Sequence, residues 1–153
     1  MKKTWLISGF PGIGKTTAFR ELNGQINVID LDNSMFDKAN FIKNYMSCIK
    51  ANMGLQDIIF ISAQEVIRRA LVKEGLKHYL FYPSLKRKEE FLDLYYRRGN
   101  SDTFIKKIDD NFNIFIESCQ NDMNPNKIEL NKEGEFLLSN SLFKKIIEEI
   151  KNS

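Results

Sequence analysis

Gly9-Phe10-Pro11-Gly12-Ile13-Gly14-Lys15-Thr16 is the most informative segment of this chain. The stretch matches the pattern G-x-x-x-x-G-K-[ST] in full. It lies between an apolar segment, residues 4–8, and a helical pattern that begins at Lys15. A strand, a glycine-rich turn and a helix in this order predict a phosphate-binding loop (P-loop), in which backbone N–H groups converge on phosphate oxygens.

Each residue type in the loop has a physical role in holding a nucleoside triphosphate. Gly12 and Gly14 allow backbone conformations that turn successive N–H groups toward an anion. Lys15 supplies a mobile positive charge for the β- and γ-phosphates, and the Thr16 hydroxyl is a hard oxygen ligand for Mg²⁺. The predicted binding residues are Gly9, Pro11, Gly12, Ile13, Gly14, Lys15, Thr16 and Thr17.

Short apolar runs alternate with helical hydrophobic patterns along the chain, as is typical of an α/β fold with a largely parallel sheet. The runs that predict strands are residues 4–8, 26–30, 57–62, 79–82 and 127–130. The helical patterns cover residues 15–22, 41–49, 64–74, 86–98, 103–120 and 142–151. No repeat or long linker interrupts them, so we predict a single domain over residues 1–153.

Composition narrows the class of protein and of partner. The net charge of +3 suits an anionic substrate but does not indicate a nucleic-acid surface. The N-terminal apolar run is too short for a signal peptide, and residues 58–61 are far too short to cross a membrane. Cys48 and Cys119 show no disulfide or zinc spacing, and we expect two buried free thiols. These features predict a cytoplasmic protein without a membrane partner, and they leave the oligomeric state open.

Two carboxylates, Asp30 and Asp32, follow the second predicted strand. Alternation along an extended chain sends both to the same side, at the sheet edge where open α/β sheets bind ligands. One of them would orient a Mg²⁺-bound water, and the other would accept a hydrogen bond or the proton from an attacking hydroxyl. The alternative is that Asp32, Asn33 or Ser34 caps a helix.

Two other classes of P-loop protein fit the sequence less well. The third predicted strand ends Phe60-Ile61-Ser62 without a carboxylate, which assigns the metal-associated carboxylate to Asp30 and disfavours a motor or transport ATPase. Residues 126–129, Asn-Lys-Ile-Glu, approach the N-K-x-D motif of GTPases. However, Glu replaces the Asp of that motif, and the chain contains no D-x-x-G sequence.

Phosphoryl transfer also needs cations, and arginine suits the task because its guanidinium group is bidentate. The candidates are Arg68 and Arg69 after the third strand, and Arg87, Arg97 and Arg98 around the helix after the fourth. For each of them, simple exposure to solvent is the alternative. Arg68 and Arg69 both fall outside the predicted apolar face of their helix, which comprises Val66, Ile67, Ala70 and Leu71.

Taken together, these segments resemble the P-loop kinases of small molecules, the nucleoside monophosphate kinase and shikimate kinase group. The compact nucleotide kinases of bacteriophages and prophages are the most similar in pattern. The matching segments, in chain order, are residues 8–16, residues 30–34, residues 61–63 with Arg68, and Tyr82-Pro83 leading to Arg97-Arg98-Gly99-Asn100. Only the first segment is specific on its own, and the Asp-Gly-x-Pro-Arg segment of adenylate kinases is absent.

The resemblance implies a three-layer α/β/α fold with a five-stranded parallel sheet, with ATP and Mg²⁺ as cofactors. It also implies a small helical lid over about residues 84–102, carrying Arg87, Arg97 or Arg98, that closes over the phosphates. The phosphoryl acceptor would lie near Asp32 and Arg68, and residues 127–136 would lie near the adenine. On this resemblance Lys15, Asp30, Asp32, Arg68 and the lid arginines are the catalytic candidates.

The function most consistent with these features is phosphoryl transfer from ATP to a nucleoside monophosphate. Another acceptor stays open: a nucleoside, a shikimate-like hydroxy acid or a nucleic-acid 5′ end. A different class stays open as well, a nucleotide-binding regulatory module with little turnover. His78, the single histidine, precedes a predicted strand and is expected to be structural or exposed rather than catalytic.

Overall fold

The computed structural model describes residues 2–31, 36 and 38–153 of the chain. The described residues form five strands: β1 (Trp5–Gly9), β2 (Val28–Asp30), β3 (Ile58–Ser62), β4 (Tyr79–Pro83) and β5 (Asn126–Leu130). They also form six α-helices: α1 (Lys15–Leu22), α2 (Phe41–Asn52), α3 (Glu65–Lys73), α4 (Lys88–Arg97), α5 (Asp102–Asn121) and α6 (Ser141–Lys151). The predicted elements are confirmed, with boundaries that differ by a few residues.

The five strands form one parallel sheet in the order β2-β3-β1-β4-β5. β1 is the central strand: Trp5 lies opposite Ile58 of β3, and Ile7 lies opposite Tyr79 of β4. The carboxyl end of β1, at Gly9, therefore lies in the middle of the sheet edge where open α/β sheets bind their ligands. This position places the glycine-rich loop at the centre of that edge.

Helices cover both faces of the sheet, as a fully buried parallel sheet requires. Ile7 belongs to the larger hydrophobic cluster, which takes side chains from α1, α4, α5 and α6. Its neighbour Leu6, whose side chain points to the opposite face, belongs to a smaller cluster with residues of α2 and α3. The expected three-layer α/β/α architecture and the five-stranded parallel sheet are thereby confirmed.

The inward face of α3 differs from the prediction. Val66, expected inside, is 52% exposed, whereas Arg68, expected outside the apolar face, is only 3% exposed. Ile67 and Leu71 are buried as expected. The difference arises because the end of α5 lies against α3 and supplies polar partners that allow a charged side chain to be buried there.

The segment predicted to be a lid, about residues 84–102, consists of a short 3₁₀ turn (Leu85–Arg87), α4 and the turn that leads into α5. Phe91 and Tyr95 on the inner side of α4 are fully buried. Their rings contact one another edge to face, and Phe91 also contacts Phe10 just after β1. α4 is therefore anchored in the core in this structure, and closure of the segment over a ligand stays a prediction.

Three further expectations concern single residues and the membrane. Both cysteines are free thiols, with Cys119 buried and Cys48 half-buried. His78 is buried, with 2% of its surface exposed. Within the residues that the structure describes, no helix combines the length and the apolar character needed to cross a bilayer.

Candidate functional site

The loop between β1 and α1 has the backbone geometry that its glycines predict. Gly12 and Gly14 adopt φ angles of 93° and 101°, in the left-handed region that favours glycine. Gly14 immediately precedes α1, so no side chain at the helix N-cap accepts a hydrogen bond from the first N–H groups. The positive end of the α1 dipole therefore points into the loop, which is the arrangement that favours bound phosphate.

Backbone and side-chain contacts hold the loop. The Tyr95 hydroxyl donates a hydrogen bond to the Pro11 carbonyl oxygen at 2.5 Å. The Leu137 N–H donates to the Ile13 carbonyl oxygen at 2.9 Å, and the Ile13 side chain is buried. The Lys15 ammonium donates to the Gly9 carbonyl oxygen at 2.6 Å and so folds back across the loop.

Gly12 is also required by close packing. A Cβ atom built at this position would lie 2.9 Å from Tyr95 Cε1 and 3.2 Å from Leu94 Cδ2. Both atoms belong to side chains of α4, which packs directly against the outer side of the loop. Two independent features therefore require glycine at position 12: the left-handed backbone conformation and the lack of space for a side chain.

The two residues predicted to hold Mg²⁺ lie next to one another. The Thr16 hydroxyl at the start of α1 is 3.4 Å from the Asp30 carboxylate at the end of β2. An exposed hydroxyl beside a carboxylate is a donor set of hard oxygens, which fits Mg²⁺. Nowhere in residues 2–31, 36 and 38–153 do three or more His, Cys, Asp or Glu side chains gather into a metal site.

The second carboxylate of the predicted pair, Asp32, lies outside the described residues, as do Asn33 and Ser34. The roles assigned to them stay predictions. The strand ends nearby are held together by Tyr45, a buried residue of α2. Its hydroxyl donates to the Leu31 carbonyl oxygen at 3.2 Å and accepts from the Ser62 N–H at 3.1 Å.

Arg68, the predicted acceptor clamp, is held by protein groups on every side of its guanidinium. Its Nε donates to the Ala63 carbonyl oxygen at 2.9 Å. Its two terminal nitrogens contact the Asp122 carboxylate at 2.8 Å and the Ser118 hydroxyl at 2.7 Å, both near the end of α5. The neighbouring Arg69 is exposed and paired with Glu65 within α3. The structure thus directs Arg68 toward α5, and its contact with an acceptor stays a prediction.

Arg87, the first of the three lid candidates, is 3% exposed. Like that of Arg68, its guanidinium is bound to other groups of the protein. It forms a bidentate ion pair with Glu90, with both N–O distances at 2.8 Å, and this pair lowers the pKa of the Glu90 carboxyl. It also donates to the Glu135 carbonyl oxygen at 2.7 Å. Its guanidinium lies over the rings of Phe91 and Phe136, 5.0 and 5.2 Å from their centres. Arg87 therefore joins α4 to the segment after β5.

The other two lid candidates are exposed at the end of α4. Arg97 pairs with Asp93 one turn earlier, at 2.9 Å. Arg98 forms no ion pair with another described residue, but its charge acts on Tyr95: burial raises the pKa of the Tyr95 hydroxyl, and the positive charge of Arg98 partly opposes this. That hydroxyl contacts Pro11 of the P-loop.

The segment after β5 also contacts the loop. A Cβ atom at Gly14 would lie 3.7 Å from Phe136 Cβ, and the Leu137 N–H contacts Ile13. Residues 127–136, expected near the adenine, thus end beside the P-loop. The contact of this segment with an adenine base stays a prediction.

No protein-family model matches the chain, and no curated protein matches it significantly. Among solved structures, it is similar to the solution NMR structure of a de novo designed protein with a P-loop NTPase fold. The identity is 16% and the TM-score 0.44, over 99% of this chain and 91% of that one. The order of the parallel strands and the conformation of the loop between β1 and α1 define the fold of this chain.

Proposed function

We propose that the chain binds ATP with Mg²⁺ at residues 9–17 and transfers the terminal phosphoryl group to a small acceptor, a nucleoside monophosphate in the first instance. One observation carries the proposal. A complete P-loop sequence lies at the carboxyl end of the central strand, with Gly12 and Gly14 in left-handed conformations and with Thr16 beside Asp30. This combination is what binding a triphosphate together with its metal requires.

Different residues of the loop would bind different parts of the triphosphate and its metal. The N–H groups of the loop and of the first turn of α1 would bind phosphate oxygens, and Lys15 would exchange its contact with Gly9 for the β- and γ-phosphates. Thr16 and Asp30 would hold Mg²⁺, directly or through water, and bound Mg²⁺ supplies charge neutralisation on the phosphoryl group. Asp32 is proposed to hydrogen-bond the acceptor, on the sequence pattern alone.

Cations around the transferred group are the next requirement. Arg98 has the best support, because it is exposed, forms no ion pair with a described residue and follows α4, whose Tyr95 hydroxyl contacts Pro11. Arg97 would have to leave Asp93, an exposed partner that holds it weakly. For Arg68 or Arg87 to act as a clamp, a buried ion pair with Asp122 or Glu90 would first have to break.

The burial of Arg68 favours a second candidate function, a kinase whose acceptor presents a hydroxyl rather than a phosphate group. A nucleoside monophosphate carries a phosphate that a bidentate arginine would recognise. The arginine that the sequence offers for that task is bound to Asp122 and Ser118 instead. A nucleoside, a hydroxy acid or a nucleic-acid 5′ end needs no such cation at its reacting group.

The test of the proposal is ATP binding and turnover by three forms of the chain: wild type, Lys15→Ala, and Lys73→Ala as an exposed control on α3. Wild type and the control should bind ATP with Mg²⁺, and Lys15→Ala should lose at least about 100-fold in turnover because a preorganised cation is removed. Circular dichroism should be the same for all three. Absence of Mg²⁺-dependent triphosphate binding in the wild type, or full turnover in Lys15→Ala, would refute the proposal.

The acceptor is identified by incubating the wild type with γ-labelled ATP and a panel of candidates. The panel should contain nucleoside monophosphates, nucleosides, hydroxy acids and 5′-hydroxyl oligonucleotides. Label transferred to a monophosphate supports the first candidate, and label on a hydroxyl compound supports the second. Tight binding of ATP without acceptor-dependent release of ADP would instead indicate a regulatory module.

A further inference from the structure

Tyr95 of α4 makes a contact with the P-loop that no other described side chain duplicates. Its ring is fully buried, and its hydroxyl donates to the Pro11 carbonyl oxygen at 2.5 Å. The ring also fills the space beside Gly12, where a Cβ atom would lie 2.9 Å from it. The aromatic side chains of Phe91 and Phe104 pack edge to face against the same ring and fix its position.

The geometry of the peptide bond gives this contact a consequence for the loop. Every described peptide bond is trans, and in a planar trans peptide the carbonyl oxygen and the following N–H point in opposite directions. Holding the Pro11 carbonyl toward Tyr95 therefore directs the Gly12 N–H away from α4. Because Gly12 permits a wide range of backbone conformations, this peptide would otherwise be able to rotate.

We propose that Tyr95 is a positioning residue of the nucleotide site: its hydroxyl fixes the Pro11–Gly12 peptide so that the Gly12 N–H is preset to bind a phosphate oxygen. The inference rests on the proposed function and extends it to a residue that lies outside the P-loop motif. Preorganised donors bind an anion more tightly because the loop loses no further freedom on binding. α4 thus acts as a fixed support for the loop.

A tyrosine in this place could instead serve only the stability of the core, and the two roles differ in what they change. A structural role predicts that loss of the hydroxyl lowers the melting temperature without altering nucleotide affinity. A positioning role predicts weaker binding of ATP by protein that is fully folded. The Tyr95→Phe substitution separates them, because it keeps the packed ring and removes only the hydroxyl. Tyr96→Phe is the matched control, since Tyr96 is the next residue of α4 and is 73% exposed.

The experiment measures the dissociation constant for ATP with Mg²⁺, the KM and kcat for ATP, and the melting temperature without nucleotide. In Tyr95→Phe the dissociation constant and KM should rise together by about 3- to 10-fold, the factor that one hydrogen bond supplies. The kcat should stay within about twofold, as expected when ground state and transition state lose the same interaction. Tyr96→Phe should match the wild type throughout.

Three results would overturn the inference while leaving the proposed function intact. They are an unchanged dissociation constant in Tyr95→Phe, an equal rise in Tyr96→Phe, and a Tyr95→Phe chain that fails to fold, which would assign the hydroxyl to core stability. Failure of the wild type itself to bind ATP would refute the proposed function instead. The wild-type measurement therefore distinguishes the two failures.

Discussion

The Arg68 guanidinium lies 2.8 Å from the Asp122 carboxylate, and this ion pair joins the start of α3 to the end of α5. Only 4% of the Arg68 side chain and 12% of the Asp122 side chain are exposed. A buried charge of this kind is tolerated because its partners are complete, including the Ser118 hydroxyl and the Ala63 carbonyl oxygen. An arginine that the sequence assigns to the acceptor is thus part of the core.

We predict that Arg68→Met lowers the free energy of unfolding by about 3 kcal/mol, because it leaves the Asp122 carboxylate nearly buried without its cation. The matched control is Arg69→Met, which removes an exposed pair with Glu65 and should cost less than about 0.5 kcal/mol. Denaturant unfolding of both variants measures the difference. Equal losses in the two variants would contradict the structural role given to Arg68.

The fold was predictable because its signals are local. The apolar residues of β3, Ile58 to Ile61, form a continuous run that is typical of a strand buried on both faces, and glycines end several of the helices. The P-loop pattern fixed the place of β1 and α1 in the same way. Patterns along the chain do not specify which helix lies beside which, and the wrong assignments on α3 follow from that. Arg68 is buried because α5, fifty residues later, supplies its partners.

The candidate site was predictable only in part, for the same physical reason. Thr16 and Asp30 were paired from a motif and from the end of a strand, and the structure brings them within 3.4 Å. The contact of Tyr95 with Pro11 spans 84 residues and depends on how α4 packs, which hydrophobic periodicity does not specify. In the sequence, Tyr95 is one apolar residue among several on its helix face. The sequence gives one indication of the role of Tyr95: a tyrosine on a buried helix face needs a hydrogen-bond partner for its hydroxyl.

Substitution of Asp30 distinguishes binding of the metal ion from binding of the phosphates. Asp30→Asn should weaken ATP binding about tenfold or more when Mg²⁺ is present, since a group that holds or orients the metal is lost. Without Mg²⁺ the variant should bind ATP at least as tightly as the wild type, because a negative charge near the phosphates has been removed. Titrations with and without a chelator measure both affinities. Asp102→Asn, an exposed change at the start of α5, is the control and should leave both affinities unchanged.

If Asp30→Asn weakened ATP binding equally in the presence and absence of Mg²⁺, Asp30 would not act through the metal. The position next to Thr16 would then serve the local structure of the loop.

Alanine substitutions at Gly12 and Gly24 separate the effect of backbone strain from the effect of steric crowding. Both have left-handed φ angles, 93° and 92°, so alanine at either position should cost about 1–2 kcal/mol of stability. At Gly24 no heavy atom lies within 4 Å of the new Cβ, whereas at Gly12 the Tyr95 ring is 2.9 Å away. Gly12→Ala should therefore be less stable than Gly24→Ala and should lose ATP binding, which Gly24→Ala should keep. Thermal unfolding and ATP titration check both, and identical behaviour of the two variants would argue against close packing of α4 on the loop.

The burial of the His78 imidazole predicts how the free energy of unfolding depends on pH between about 5 and 8. Burial lowers its pKa below 6.5, its ordinary value; nearby Arg68 acts in the same direction, while Asp122 and a backbone hydrogen bond with Leu76 oppose the shift. Between the lowered pKa and 6.5 the unfolded chain binds a proton that the folded chain does not bind. Stability should therefore be complete above about pH 6.5 and should fall as the pH is lowered, by at most about 1.4 kcal/mol per pH unit.

The measurement is denaturant unfolding at several pH values for the wild type and for His78→Asn. Because the chain contains a single histidine, the variant should lose most of the pH dependence in this range. Glu90, whose pKa the Arg87 ion pair lowers, titrates at still lower pH and should affect both proteins alike. If the wild-type stability rose on acidification from pH 7 to 5.5, and His78→Asn abolished that rise, His78 would gain and not lose proton affinity on folding. That result would contradict a neutral, buried imidazole at the start of β4.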